Sequence, residues 1–185
     1  MFNIELGGGR NPVKSRDPNR QDYINLDIID FPTVDFKCDL RLGIPYRDHS
    51  VDNIYTCEFL EHLPLVEVQR LLRDCHRVLV PQGTLYITCP NFDGLVYFWN
   101  RGEHIPYITR GILGDGIDPH DYHRSLLTTT WIIDMLDEIG FGSITDISDE
   151  RRKELNTEEE IQELKQRGVT IDEFLMMKIH VRAIK

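Results

Sequence analysis

Residues 2–6 (FNIEL) form a short apolar run that stops on three consecutive glycines, Gly7-Gly8-Gly9, and this junction constrains the fold more than any other feature of the chain. The run reads as a strand. The glycines after it let a ligand approach the backbone and leave N–H groups free for a carboxylate or phosphate. Further short runs at 23–28, 34–38, 51–56 and 84–89 also read as strands, each ending near a glycine or polar residue. Longer segments of helical period separate some of them. In 64–79, Leu65, Val68, Leu71, Leu72, Cys75, Val78 and Leu79 recur at three- and four-residue steps, with Pro64 suited to the first turn and Pro81-Gln82-Gly83 turning into the next strand. A second helix starts with Thr128 or Thr129 as cap, carries Trp131, Met135, Leu136 and Ile139 on one face, and ends at Gly140, after which Phe141 opens a sixth strand. Residues 174–184 alternate well enough to be a final strand returning to the sheet edge.

This alternation predicts an α/β fold: a doubly wound, mostly parallel sheet with an antiparallel hairpin at its C-terminal edge. Residues 11–20 are polar and contain Pro12 and Pro18, so the first crossover helix is expected to be short or absent, with no long helix dipole aimed at a ligand phosphate. The mixed charges of 149–167 predict a solvated helix. At 185 residues the chain is the size of one domain, 1–185, within which 91–125 is expected to form a lid over a second substrate. That segment carries Phe92, Tyr97, Phe98, Trp99, Tyr107 and Tyr122 among glycines and prolines, and such aromatics serve equally to cover a homodimer interface.

Charge and composition narrow the classes. Lys and Arg number 21 against 31 Asp and Glu, a net charge of −10, which points away from nucleic acid as partner. With 41% apolar and 28% charged residues, no leader-like start and no apolar run of about 20 residues, the expectation is a globular, cytoplasmic protein that does not enter the membrane. Cys38, Cys57, Cys75 and Cys89 form no C-x-x-C pair and are expected to be buried free thiols.

Ligands of open α/β sheets bind beyond the carboxyl ends of the strands. There the chain offers the glycine run, then Asp27 to accept ribose hydroxyls, then Asp39 to accept an amino group beside Leu40, which can cover a flat ring. Together these suit a nucleoside. The dinucleotide pattern G-x-G-x-x-G/A, counted from Gly7, fails at Pro12, and no G-x-x-x-x-G-K-[ST] loop is present, so a nucleoside without a pyrophosphate fits better than NAD.

In order along the chain, ELGGGRNP, YINLDI, IPYRDHSVDNIYTCEFLEHL, RVLVPQGTLYITCPN and HRSLLTTTWIIDMLDEIGF resemble the motifs of the class I S-adenosylmethionine-dependent methyltransferases, especially the small type 11-like proteins of bacteria and phages. The resemblance spans about 2–145 and implies a Rossmann-like fold, S-adenosyl-L-methionine as cofactor and a small-molecule or carbohydrate acceptor. It implies that Glu5, Gly7, Gly8 and Gly9 shape the methionine-moiety site, that Asp27 binds the ribose with Ile28 against the adenine, that Asp39 and Leu40 contact the adenine edge and face, and that Glu58 lies beside the sulfonium. Asn11 stands where a third glycine is usual, and Gln82 replaces the first glycine of the turn before the fifth strand. The chain opens directly on the first strand, so a cofactor pocket is expected without the N-terminal helices that often cap it.

If the acceptor is a hydroxyl, a base near neutral pH helps, and His62, His120 and His123 are the candidates. His120-Asp121-x-His123 offers too few ligands for a metal, and none is expected. Two other readings stand beside catalysis by methyl transfer: a non-catalytic methyltransferase-like partner or regulatory protein, and a nicotinamide oxidoreductase, against which Pro12 argues.

Overall fold

The computed structural model describes residues 1–16, 20, 22–116, 119–154, 162 and 164–185. The strands are β1 (Asn3–Leu6), β2 (Tyr23–Asp27), β3 (Phe36–Lys37), β4 (Val51–Cys57), β5 (Leu79–Pro90), β6 (Ser143–Asp146) and β7 (Lys178–Ile184). The helices are α1 (Val13–Arg16), α2 (Leu65–Val78), α3 (Phe92–Asn100), α4 (Ile105–Leu113), α5 (Thr129–Ile139), α6 (Ser148–Glu154) and α7 (Ile171–Met176). Single 3₁₀ turns lie at Leu40–Leu42 and Leu60–His62.

One sheet runs in the order β3-β2-β1-β4-β5-β7-β6. The first five positions are parallel, and β7 lies antiparallel between β5 and β6. Antiparallel pairing at this end is as expected, but the outermost strand is β6 and the last strand sits one place inside it. β1 is central and all four of its residues are buried, as an inner parallel strand requires. On α2, Val68, Leu71, Leu72, Cys75 and Val78 are buried against the sheet, each such side chain stabilising by about 1.5–3 kcal/mol. The α5 ends are those the sequence predicts: the Thr128 hydroxyl accepts from the Trp131 N–H at 3.2 Å, and Gly140 takes a left-handed conformation at the C-cap. α1, at four residues, is the short first crossover.

Several expectations are corrected. Residues 174–176, expected to open the final strand, instead end a helix, because Thr170 and Glu173 form a reciprocal capping box that nucleates α7. The segment 91–125 contains two helices, α3 and α4. Leu95, Phe98 and Ile108 from them pack with Leu164, Val169 and Met177 into a second apolar cluster, so part of its aromatic content is core. Gly94 permits this packing, since a Cβ there would lie 2.0 Å from the Met176 carbonyl oxygen. Pro81-Gln82-Gly83 is looped out within β5, where Leu79 pairs with Val51 but Thr84 pairs with Asn53. Cys75 and Cys89 are buried, whereas Cys38 and Cys57 are only half-buried. The charged segment 149–167 is helical in α6, and its residues 155–161 and 163 lie outside the described residues, as do 17–19 of the first crossover and 117–118 of the lid segment.

Candidate functional site

The carboxyl ends of β1, β2, β3 and β4 open into a cavity of about 680 Å³. Its floor is the glycine turn. Gly7 and Gly9 have φ of 68° and 52°, which glycine adopts without strain. Gly8 is held for a different reason: a Cβ there would come 2.5 Å from the Asn25 side-chain oxygen and 2.8 Å from Glu5 Cδ. The turn is pinned by Gly7 N–H to the Leu26 carbonyl at 2.8 Å, Gly8 N–H to Asn25 Oδ1 at 3.1 Å and Gly9 N–H to Asp27 Oδ2 at 3.0 Å, so the N–H groups expected to be free for a ligand are instead spent on holding the turn.

Asp27 ends β2 and lines the cavity, its carboxylate fixed by the Gly9 N–H and by the Ile29 N–H at 2.8 Å. Each carboxylate oxygen has two lone pairs, so both retain acceptor capacity. Ile28, Ile29 and Phe31 continue the wall, and the Arg10 guanidinium lies 4.4 Å from the Phe31 ring centre. Leu40, buried, adds an apolar surface opposite. Asp39 also lines the cavity, but Arg41 engages it through the backbone N–H at 3.0 Å, Nε at 2.8 Å and Nη2 at 2.7 Å, and this pairing holds its carboxyl below the usual carboxylate range. Glu5 is 1% exposed and accepts the Val13 N–H at 2.6 Å, so it supports the turn and α1 from below rather than lining the cavity.

A second cavity of about 310 Å³ lies alongside, walled by Glu61, Leu95, Tyr107, Arg110, Gly111, His123 and Lys178 among others. Glu58, His62, Asp115 and Asp121 belong to both cavities. Glu58 stands at the end of β4 in a left-handed conformation, φ 53°, and its carboxylate accepts from Lys178 Nζ on β7. The His62 and His123 rings meet edge to face, centroids 4.9 Å apart. His123 Nδ1 is 2.9 Å from the Gly111 carbonyl, and His62 Nδ1 is 3.4 Å from the Tyr122 carbonyl. A carbonyl only accepts, so Nδ1 carries the hydrogen and Nε2 the lone pair in the neutral rings. Burial holds the His123 pKa below the ordinary imidazole value. His120 is separated from this pair: it is exposed on the rim of the first cavity, where its charge bears on Asp39.

Two residues of this region were missed from sequence. Glu61 is 2% exposed, and neither carboxylate oxygen has a hydrogen-bond partner among the described residues. Burial pushes its carboxyl well above the usual range, and the Glu58 carboxylate adds to the push. Its neighbour His62 stands out in the sequence by residue type alone, while nothing local marks Glu61 as buried. Lys178 is joined to the site only by the pairing of β7 with β5.

Residues 14–87 match the family described as a methyltransferase domain, from the first crossover into β5. No curated protein sequence matches the chain. In fold, the chain is similar to a SAM-dependent methyltransferase from Archaeoglobus fulgidus, with a TM-score of 0.61 and 18% identity over 98% of this chain and 85% of that one. It is similar to an S-adenosylmethionine-dependent methyltransferase from Mesorhizobium loti, with a TM-score of 0.57 and 16% identity over 98% and 89%. It is also similar to phosphoethanolamine N-methyltransferase 2 from Haemonchus contortus, with a TM-score of 0.56 and 13% identity over 100% and 50%. These likenesses establish the fold. The family match takes in the segment that carries Asp27, Asp39 and Glu58, and that part of the chain is similar to a methyltransferase domain. The family match and the fold together support methyl transfer as the activity and S-adenosyl-L-methionine as the cofactor. Among the described residues no helix is long and apolar enough to cross a membrane.

Proposed function

We propose that the chain transfers the methyl group to a small molecule or carbohydrate seated in the second cavity. The observation that carries this reading is the common wall: Glu58, His62, Asp115 and Asp121 line both cavities, so a donor in one faces an acceptor in the other. At about 310 Å³ the second cavity is at the small end of ligand sites, which favours a compact acceptor. The Haemonchus contortus neighbour, in complex with phosphomonomethylethanolamine and S-adenosylhomocysteine, is a precedent on this fold for a small molecule beside the cofactor product.

In this reading the amino-acid end of the cofactor packs against the Gly7-Gly8-Gly9 turn, whose N–H groups are taken within the chain, and Asp27 accepts the ribose hydroxyls with the lone pairs that Gly9 and Ile29 leave open. Ile28 and Leu40 cover the adenine. Asp39, largely engaged by Arg41, has one acceptor direction left for the adenine amine, and Glu5 acts through the turn. The cofactor supplies a methyl carbon already bonded to a cationic sulfur, so alignment of the acceptor is the main task, and proximity of this kind is worth about 7–11 kcal/mol. The acidic groups at the junction, Glu58 and Asp121, favour a cation there. His62 and His123 put ring-nitrogen lone pairs on the acceptor side, where they lower the cost of removing the acceptor's proton. His120, on the exposed rim of the first cavity, stands apart from this pair and takes no part in removing the proton.

Titration calorimetry with S-adenosylhomocysteine, run beside NADH, tests the donor half. The expected result is micromolar binding of the former alone, weakened at least tenfold in Asp27→Ala; equal affinity in the variant would remove Asp27 from the site. For the acceptor half, His62→Gln should keep the binding and lose turnover across a panel of sugars and small alcohols.

A further inference from the structure

We infer that Glu61, His62 and His123 bind a divalent transition-metal ion of the zinc class at the junction of the two cavities, with an open coordination position for the acceptor. The inference rests on the second cavity being the acceptor site, as proposed above, and gives that site its means of activating the acceptor. One carboxylate oxygen of Glu61 and one ring nitrogen from each histidine all lie within 4.8 Å of one another. In a tetrahedral zinc site with ligands at 2.0–2.1 Å, neighbouring ligand atoms are about 3.4 Å apart, so side-chain adjustments of about 1 Å bring the three together. Three protein ligands of N, N, O type with a fourth place left open is the ligand set of a catalytic rather than a structural zinc site.

Three observations support an ion in preference to a hydrogen-bonded cluster. First, the Glu61 carboxylate is buried and unpartnered on both oxygens, a state that is costly unless something outside the chain answers it. Second, both histidines turn Nδ1 toward a backbone carbonyl, Gly111 for His123 and Tyr122 for His62. Metal-binding histidines are usually oriented by such a contact, and it leaves Nε2 to coordinate. Third, two neighbouring cations are bonded to other carboxylates, Lys178 to Glu58 and Arg110 to Asp115 at 2.7 Å, and neither donates a hydrogen bond to Glu61, although the Lys178 charge bears on it. The other cluster of suitable residues, Glu103, His104 and Glu173, lacks these features: Glu103 is bonded to Arg101, and Glu173 to His104 and the Thr170 cap.

A bound ion would accept a lone pair from an acceptor hydroxyl and acidify its O–H bond toward neutrality. The proton leaves to solvent, the oxygen pair forms the new bond to the methyl carbon, and the pair of the broken carbon–sulfur bond stays on sulfur. Neither histidine is then needed as a base.

The test uses the untagged chain, treated with a chelator and dialysed, then titrated with Zn²⁺ by calorimetry and with Co²⁺ by visible absorption. The expected result is one equivalent of Zn²⁺ bound at micromolar affinity or tighter, and Co²⁺ bands of a four- or five-coordinate site. Glu61→Gln and His123→Ala should each weaken binding at least 100-fold, while His104→Asn leaves it unchanged. Stoichiometry below 0.2, or unchanged affinity in Glu61→Gln, would overturn the assignment, as would transfer of the loss to His104→Asn. Should Glu61→Gln fail to fold, as judged by circular dichroism, His62→Asn takes its place with the same expectation. S-adenosylhomocysteine titration of each variant separates the two readings: metal loss with that affinity retained concerns the ion alone, and failure of the intact chain to bind the nucleoside concerns the donor site.

Discussion

The Lys178 ammonium on β7 donates to the Glu58 carboxylate at the end of β4, joining positions 120 residues apart across β5. The Lys178 side chain is 12% exposed and that of Glu58 42%. Burial works against the lysine's charge, and Glu58, with Tyr107 and Glu61 adding to it, more than offsets that cost, so its pKa is raised.

Lys178→Met should therefore destabilise the fold by about 1–2 kcal/mol, the range for a buried pair discounted for the exposed partner. In urea titrations, adding Glu58→Gln should recover part of the loss, since the second change removes the carboxylate left without its cation. Full additivity of the two changes would show that the pair is uncoupled.

Gln82 has φ of 66° in the looped-out segment of β5 and is exposed. An L side chain in that conformation is strained by about 1–2 kcal/mol, part of which glycine returns through its greater unfolded-state freedom. Gln82→Gly should raise stability by about 0.5–1 kcal/mol in thermal or urea unfolding, without changing cofactor affinity. The contact from Gln82 N–H to the Lys185 carbonyl at 2.9 Å is a backbone bond and survives the change.

His180 on β7 is 1% exposed, with Nδ1 3.4 Å from the Thr88 hydroxyl and Nε2 without a partner among the described residues. Burial, with Arg151 and Lys178 nearby and Asp146 opposing them, lowers its pKa from 6.5 to about 4. The unfolded chain takes up a proton below 6.5 that the folded chain refuses until about 4. Stability from this group is thus constant above 6.5 and falls by about 3 kcal/mol as pH drops through that window. The difference in unfolding free energy between the native chain and His180→Leu, measured from pH 7.5 to 4.5, should shrink or reverse in the same window; a pH-independent difference would mean that the ring titrates normally.

Gly8→Ala places a methyl group against Asn25 and Glu5, both of which anchor the turn. Asn25 is buried and its amide also donates to the Gly9 carbonyl at 3.2 Å, so it cannot yield without loosening the loop. The expected outcome is a loss of about 1–3 kcal/mol in stability, the usual range for overpacking, with weaker S-adenosylhomocysteine binding. Wild-type affinity in this variant would show that the turn adapts.

The elements that are legible from sequence are those whose signals are local. The spacing of Leu65, Val68, Leu71, Leu72 and Cys75, the Thr128 cap and the Gly140 stop lie within a few residues of the structure they specify, and α2 and α5 follow them. The motif Thr170-x-x-Glu173 is equally local, but the residues after it alternate as a strand would; the capping box prevails because it satisfies backbone donors that an extended chain would have to pair elsewhere. Asp27, Ile28, Asp39, Leu40 and the glycines all line the first cavity because each follows the end of a parallel strand, a rule that needs only strand boundaries. The second cavity obeys no such rule. His123 meets His62, and His120 does not, because the chain between β5 and α5 folds into helices whose packing depends on Gly94, Leu164 and Met177, which are far apart in sequence.

The insertion of β7 between β5 and β6 sets an order of assembly. β6 emerges from the ribosome before the strand that joins it to the sheet, so it must wait, edge groups unpaired, while α6, α7 and β7 are made. β5 waits as well, and with it the place of Lys178 opposite Pro90. A nascent chain can thus close the first cavity early, from β1 to β4, while the second cavity is completed only when the last strand slots home.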